Sequence, residues 1–161
     1  MNIRANAIAV IAAALAIGAC SKGPDMAKVR DDVARAQAEG QKKFADAQAE
    51  FDKVKAAARK DITEARVDAN AKAEPASQAA DKDVAAASSD ASQKLADARY
   101  DVDKAKAQAS YDVALAQCEG QTGDAKKSCK DAAKSSYDST VSAAKTANES
   151  ARKNAQARSN G

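Results

Sequence analysis

The sequence predicts an all-α protein of elongated, long-helix architecture: one long helix followed by a helical hairpin. Three observations carry this. Alanine supplies 45 of the 161 residues, and with Lys, Gln, Glu and Arg it is among the strongest helix formers. Apolar residues recur at spacings of three and four over long stretches, the period of a helix face. From residue 20 onward only thirteen residues are Leu, Ile, Val or Phe, and Trp is absent. That is far below the roughly 20% at which ordinary globular composition ends. Such a chain cannot fill a thick core. It can join long helices through alanine faces, either as a coiled-coil-like assembly or as a thin three-helix bundle.

Residues 1–19 read as a signal peptide rather than as part of the fold. Arg4 is the positive charge of its first region, and residues 5–17 form an apolar run broken only by Asn6. Such a run is too short to span a bilayer, which takes about 20 apolar residues, but suits a signal core followed by small residues. Ile17-Gly18-Ala19-Cys20 resembles the lipobox of bacterial lipoprotein precursors. The resemblance implies cleavage between Ala19 and Cys20, a lipid thioether on Cys20 and an acylated new amino terminus. It also implies a cell-envelope location, with the membrane as partner through Cys20. One acyl chain binds marginally and two signals anchor stably, so three chains would hold the protein permanently. Ser21, where an Asp would imply inner-membrane retention, implies the outer membrane, facing the periplasm.

Residues 20–25 form a short tether, and Pro24 and Asp25 open the first helix, expected over 26–74. Met26, Val29, Val33, Ala36, Gly40, Phe44, Ala47, Phe51, Val54, Ala58 and Ile62 make ten steps in 36 residues. A mean of 3.6 predicts a straight amphipathic helix rather than a supercoiled heptad seam. Pro75 lacks an amide donor and disfavours helical geometry at Glu74, so the helix ends or kinks just before it.

The hairpin is expected over 75–161, with helices at 78–118 and 125–157. Its first helix carries Val84, Ala87, Ala91, Leu95, Ala98, Val102, Ala105, Ala109, Val113 and Ala116 on one face. Within it Ala98-Arg99-Tyr100-Asp101-Val102 recurs as Ala109-Ser110-Tyr111-Asp112-Val113. Eleven residues are three turns, so both copies present one face, with Tyr100 and Tyr111 flanking the stripe. Residues 119–124 hold two glycines and form the turn, and Asp124 is expected to cap the helix that follows. That helix places Tyr137, Val141, Ala144, Asn148, Ala151 and Ala155 on one side. Whether the first helix packs on the hairpin is not decided by the pattern.

Cys118 and Cys129 flank the turn. In a continuous helix, residues eleven apart lie about 16 Å apart along the axis, while a disulfide needs Cα atoms within about 7 Å. A bridge therefore requires the chain to double back, which the glycines permit. Two free thiols are the alternative. The segment 116–129 is also similar to alanine-rich, TolA-like helical envelope proteins of proteobacteria, a resemblance that implies a helical envelope protein and no activity.

The chain has no histidine, so Ser-His-Asp and Cys-His chemistry are ruled out, and two thiolates alone make a poor zinc site. No phosphate-binding loop or nucleotide fingerprint is present. No cofactor, metal or catalytic residue is expected, and the chain reads as a non-enzyme. Residues 21–124 carry 17 basic and 20 acidic side chains, whereas 125–161 carry 8 basic and 3 acidic. The basic tail reads first as a solvated helix face and second as a surface for lipid phosphates or peptidoglycan carboxylates. Without aromatic interleaving it does not suggest nucleic acid. The expected role is a structural or interaction lipoprotein: a helical spacer meeting peptidoglycan, another envelope protein or a second copy of itself. The chain lacks the terminal lysine by which Braun-type lipoproteins attach to peptidoglycan. The alternative role is a weakly folded, stress-protective helix former resembling late-embryogenesis proteins, on the strength of the 11-residue echo.

Overall fold

The computed structural model describes residues 23–71 and 77–159. Three α-helices account for nearly all of them: α1 (Met26–Ala71), α2 (Ser77–Cys118) and α3 (Gly123–Ser159). The signal segment, Cys20 and Pro75 lie outside the described residues.

Asp25 starts α1 as its side chain and carbonyl together satisfy the first free amides. Its Oδ1 accepts from the Ala27 amide at 3.0 Å and the Lys28 amide at 3.3 Å. Its carbonyl accepts from Val29 at 3.0 Å. A cap of this kind is worth about 1 kcal/mol.

The hairpin turn is tighter than expected. Three successive amides, of Glu119, Gly120 and Gln121, donate to the carbonyls of Ala116, Gln117 and Cys118. These three-residue steps wind down the end of α2. Gly123 then takes a left-handed conformation, φ +56°, which glycine adopts without the Cβ clash of other residues. This lets α3 begin at Gly123, two residues before the expected start at 125, and run to Ser159 rather than 157. Asp124 accordingly lies in the first turn of α3 and is not its cap; the Thr122 carbonyl accepts the Lys126 amide at 3.4 Å. An acidic side chain in that turn still favours the positive end of the helix dipole.

The helices form an open layer. α1 packs on α2 and α2 packs on α3, but α1 and α3 do not touch among the described residues. The architecture is all-α and elongated, as predicted, and α2 decides how the three helices pack. One face of α2 carries the expected stripe, on which Ala91 and Val102 are buried and Ala109 meets Gly40 of α1. A second stripe runs Ser89, Gln93, Ala96, Tyr100, Asp103, Ala107, Tyr111, Ala114 and Cys118, every member buried or half-buried. At 100° per residue this second stripe lies half a turn from the first. α1 and α3 each have one contact face, so they can only flank α2 from opposite sides.

Close approach replaces bulk at the seams. Gly40 is buried, and a Cβ placed on it would lie 2.7 Å from the Ala109 Cβ. The core consists of Ala58, Ala80, Ala91, Val102, Ala107, Cys118 and Ala155 with Ser89. Five of these eight residues are alanine, so burial depends on backbone proximity. On α3, Ala151 is exposed and Arg152 is half-buried in its place. The contact side of α3 therefore runs Ala144, Asn148, Arg152, Ala155.

Candidate functional site

Two features gather the chemistry-bearing side chains: the clamped turn and the seams leading away from it.

At the turn, the sulfur atoms of Cys118 and Cys129 lie at bonding distance, 1.95 Å, with Cα atoms 5.7 Å apart. The doubling-back that a bridge requires is supplied by the wound-down end of α2 and the left-handed Gly123. Cys118 is fully buried. Glu119 holds the same corner from outside. Its Oε2 accepts from Lys126 Nζ at 2.6 Å, and its Oε1 lies 2.7 Å from Lys130 Nζ. The hydrogen bond from Lys126, then that from Lys130, lowers the Glu119 carboxyl from 4.5 to about 2. The start of α1 reaches this corner too. A Cβ on Gly120 would sit 3.6 Å from a Val29 methyl and 3.8 Å from the Met26 Cε. The beginning of α1 and the hairpin turn therefore form one end of the layer.

Farther along, α2 and α3 are joined at two more heights. Tyr111 and Tyr137 pack with ring centroids 5.2 Å apart and planes tilted by 35°, a spacing that favours aromatic contact. This is where the 11-residue echo leads: Tyr111 faces α3, on the opposite side of α2 from the predicted stripe. Asp97 accepts a hydrogen bond from Asn148 Nδ2 at 2.9 Å and a second from Arg152. The Asn148 bond, then the Arg152 bond, lowers the Asp97 carboxyl below its ordinary value. The α1–α2 seam carries looser ion pairs, Lys43–Asp112 at 3.7 Å and Lys94–Asp61 at 3.8 Å. Both pairs are solvent-facing, where such contacts contribute about 0–1 kcal/mol.

A groove of ≈ 550 Å³ runs along the α1–α2 seam, lined by Glu50, Phe51, Val54, Ala57, Asp97 and Asp101 among others. A second, of ≈ 440 Å³, lies between α2 and α3 beside Lys106, Ser110, Tyr137 and Thr140. The two open on opposite faces of the layer.

Of the residues predicted from sequence, Cys118 and Cys129 come together. Ala19 and Cys20 lie outside the described residues. Among the described residues no group of three or more Cys, Asp or Glu converges as a metal-ligand set, and no helix is long and apolar enough to cross a membrane. The Asp97–Asn148–Arg152 clamp was not predicted. Its signal was Asn148, an amide on a stripe of small apolar residues, where a polar group needs a partner. Compared with known proteins, the chain matches no family model, no curated protein and no solved structure.

Proposed function

We propose that this chain is a lipid-anchored protein of the bacterial cell envelope, held by Cys20 in the outer membrane and facing the periplasm, and that its helical layer acts as a spacer and partner-binding surface. The observation that carries the reading is Ile17-Gly18-Ala19-Cys20 at the end of a short apolar run. The geometry is compatible with it. Residues 20–25 are a tether of six residues, at most about 20 Å when extended. α1 then starts beside the hairpin turn, so a lipid on Cys20 sets the turn toward the membrane. α1 has 46 residues, which at 1.5 Å each carries its far end roughly 70 Å away. The partner at that distance is peptidoglycan or another envelope protein.

Mass spectrometry of the protein from its native host tests the reading. A mature form beginning at Cys20 and carrying three acyl chains is expected, and Cys20→Ala should remain uncleaved. A mature terminus elsewhere, or Cys20 without fatty acid, overturns it. In-cell crosslinking from the far end of α1 then identifies the partner.

A further inference from the structure

Across α1 and α2 the two faces of the layer carry a net excess of opposite charge, although Lys28 and Lys104 share the acidic face and Asp52 and Asp81 the basic one. The groove between α1 and α2 places Glu50 and Ala57 on the same face as Asp97 and Asp101. At 100° per residue, Glu39, Asp46 and Asp68 of α1 and Asp90 of α2 share that face. All four, and Asp101, are exposed and make no ion pair among the described residues. Half a turn around the same helices, on the opposite face, lie Lys55, Arg59, Arg66 and Lys106. These are exposed as well and also lack an ion-pair partner among the described residues. The shape is two-sided too. The acidic face is hollowed by the groove. The same spacing sets Phe44, 36% exposed, and Leu95 toward the basic face, and Leu95 sits at the height of the groove-lining residues 94–101.

We propose that copies of this chain stack face to back, the Arg59, Arg66 and Lys106 side of one copy on the Asp68 and Asp101 side of the next, forming an open row. Charge complementarity selects the symmetry. A two-fold axis would set like-charged faces together, which is repulsive. A translation sets opposite faces together. It also keeps height: Arg66 and Asp68 differ by two residues, about 3 Å along the axis, and Lys106 and Asp101 by five, about 7.5 Å. Long side chains span such offsets. A contact made by translation is heterologous and does not close, so it propagates. All α1 starts then lie along one edge, which agrees with the anchoring proposed above but does not depend on it.

Native mass spectrometry of the purified full chain from detergent tests this. At low ionic strength a ladder of species with no preferred size is expected. Raising ionic strength from about 0.01 M to about 1 M shortens the Debye length from about 30 Å to about 3 Å and should return the ladder to monomer. Arg59→Gln with Arg66→Gln neutralises the basic face, and Asp68→Asn with Asp101→Asn neutralises the acidic one. Each variant alone should be monomeric. Mixed, they retain one intact face apiece and should give a 1:1 complex and nothing larger, which also shows that both are folded. A closed dimer of the native chain, association unchanged in either variant, or a mixture that stays monomeric while circular dichroism shows both variants helical would each overturn the proposal.

Discussion

Replacing Gly40 with alanine sets two effects of similar size against each other. Within a helix, alanine is favoured over glycine by about 1 kcal/mol, so on an isolated helix the substitution stabilises. In the folded layer the new methyl would lie 2.7 Å from the Ala109 Cβ and 3.1 Å from its Cα. Neither atom is the end of a flexible side chain, so α1 and α2 must separate by about 0.7 Å to restore contact near 3.4 Å. A radial gap of about 0.5–1 Å forfeits a quarter to a half of each dispersion contact, and it does so along a seam made largely of alanines. Overpacking of this kind costs about 1–3 kcal/mol, so the clash wins. Gly40→Ala should be destabilised by about 1 kcal/mol net, a fall of roughly 2–4 °C in Tm for a chain of this size. Adding Ala109→Gly should recover part of the loss, giving a favourable coupling energy in a double-mutant cycle. Urea unfolding followed by circular dichroism measures all three variants. A Gly40→Ala protein about 1 kcal/mol more stable than the native chain, with no coupling to position 109, would refute the close approach on which the α1–α2 seam is built.

Three other outcomes follow from the turn and the clamp. Reducing the Cys118–Cys129 bond, or replacing both residues with serine, should lower stability by about 3 kcal/mol, the value expected for so short a loop; thermal melts with and without reductant measure it. Gly123→Ala meets no atom within 4 Å but must hold φ +56°, so it should cost about 1–2 kcal/mol from backbone strain alone, whereas Gly123→Asn should cost less. Glu119 and Asp97 both have folded-state carboxyls held below their ordinary values, so their stabilisation is fully present above the unfolded values and is lost as pH falls. Tm should therefore stay level from pH 7 to about 5 and fall between about 4.5 and about 2. The fall should be smaller in Glu119→Gln, and an unchanged profile in that variant would contradict the assignment.

Much of this architecture is legible in the sequence because it depends on period and punctuation. The Met26–Ile62 stripe, the glycine-bearing turn and the flanking cysteines each point to one local structure, and all three describe the molecule. The second face of α2 was hidden by its composition. Ser89, Gln93, Asp103 and two tyrosines alternate there with small residues, so the hydrophobic contrast is slight although the spacing is as regular as on the first face. The arrangement of the helices followed from that face, so a closed bundle and an open layer could not be separated. The expected stripe on α3 takes in Ala151, whereas Arg152 is half-buried in its place. Hydropathy favours the alanine, while the distant Asp97 selects the arginine, and no local pattern encodes a partner some fifty residues away.

The central structural claim is that α2 lies between α1 and α3. Neighbouring helix axes lie about 8–10 Å apart, so the outer pair should be roughly 16–20 Å apart in an open layer and about 8–10 Å apart in a closed bundle. Ala49 of α1 and Thr146 of α3 are both exposed and stand at nearly the same height along the layer. Spin labels at these two positions, read by pulsed dipolar spectroscopy with the Cys118–Cys129 bridge intact, measure the separation directly. A single narrow distance corresponding to the wider axis spacing is predicted. A distribution centred about 8–10 Å shorter would mean that α1 and α3 meet, and would contradict the layer.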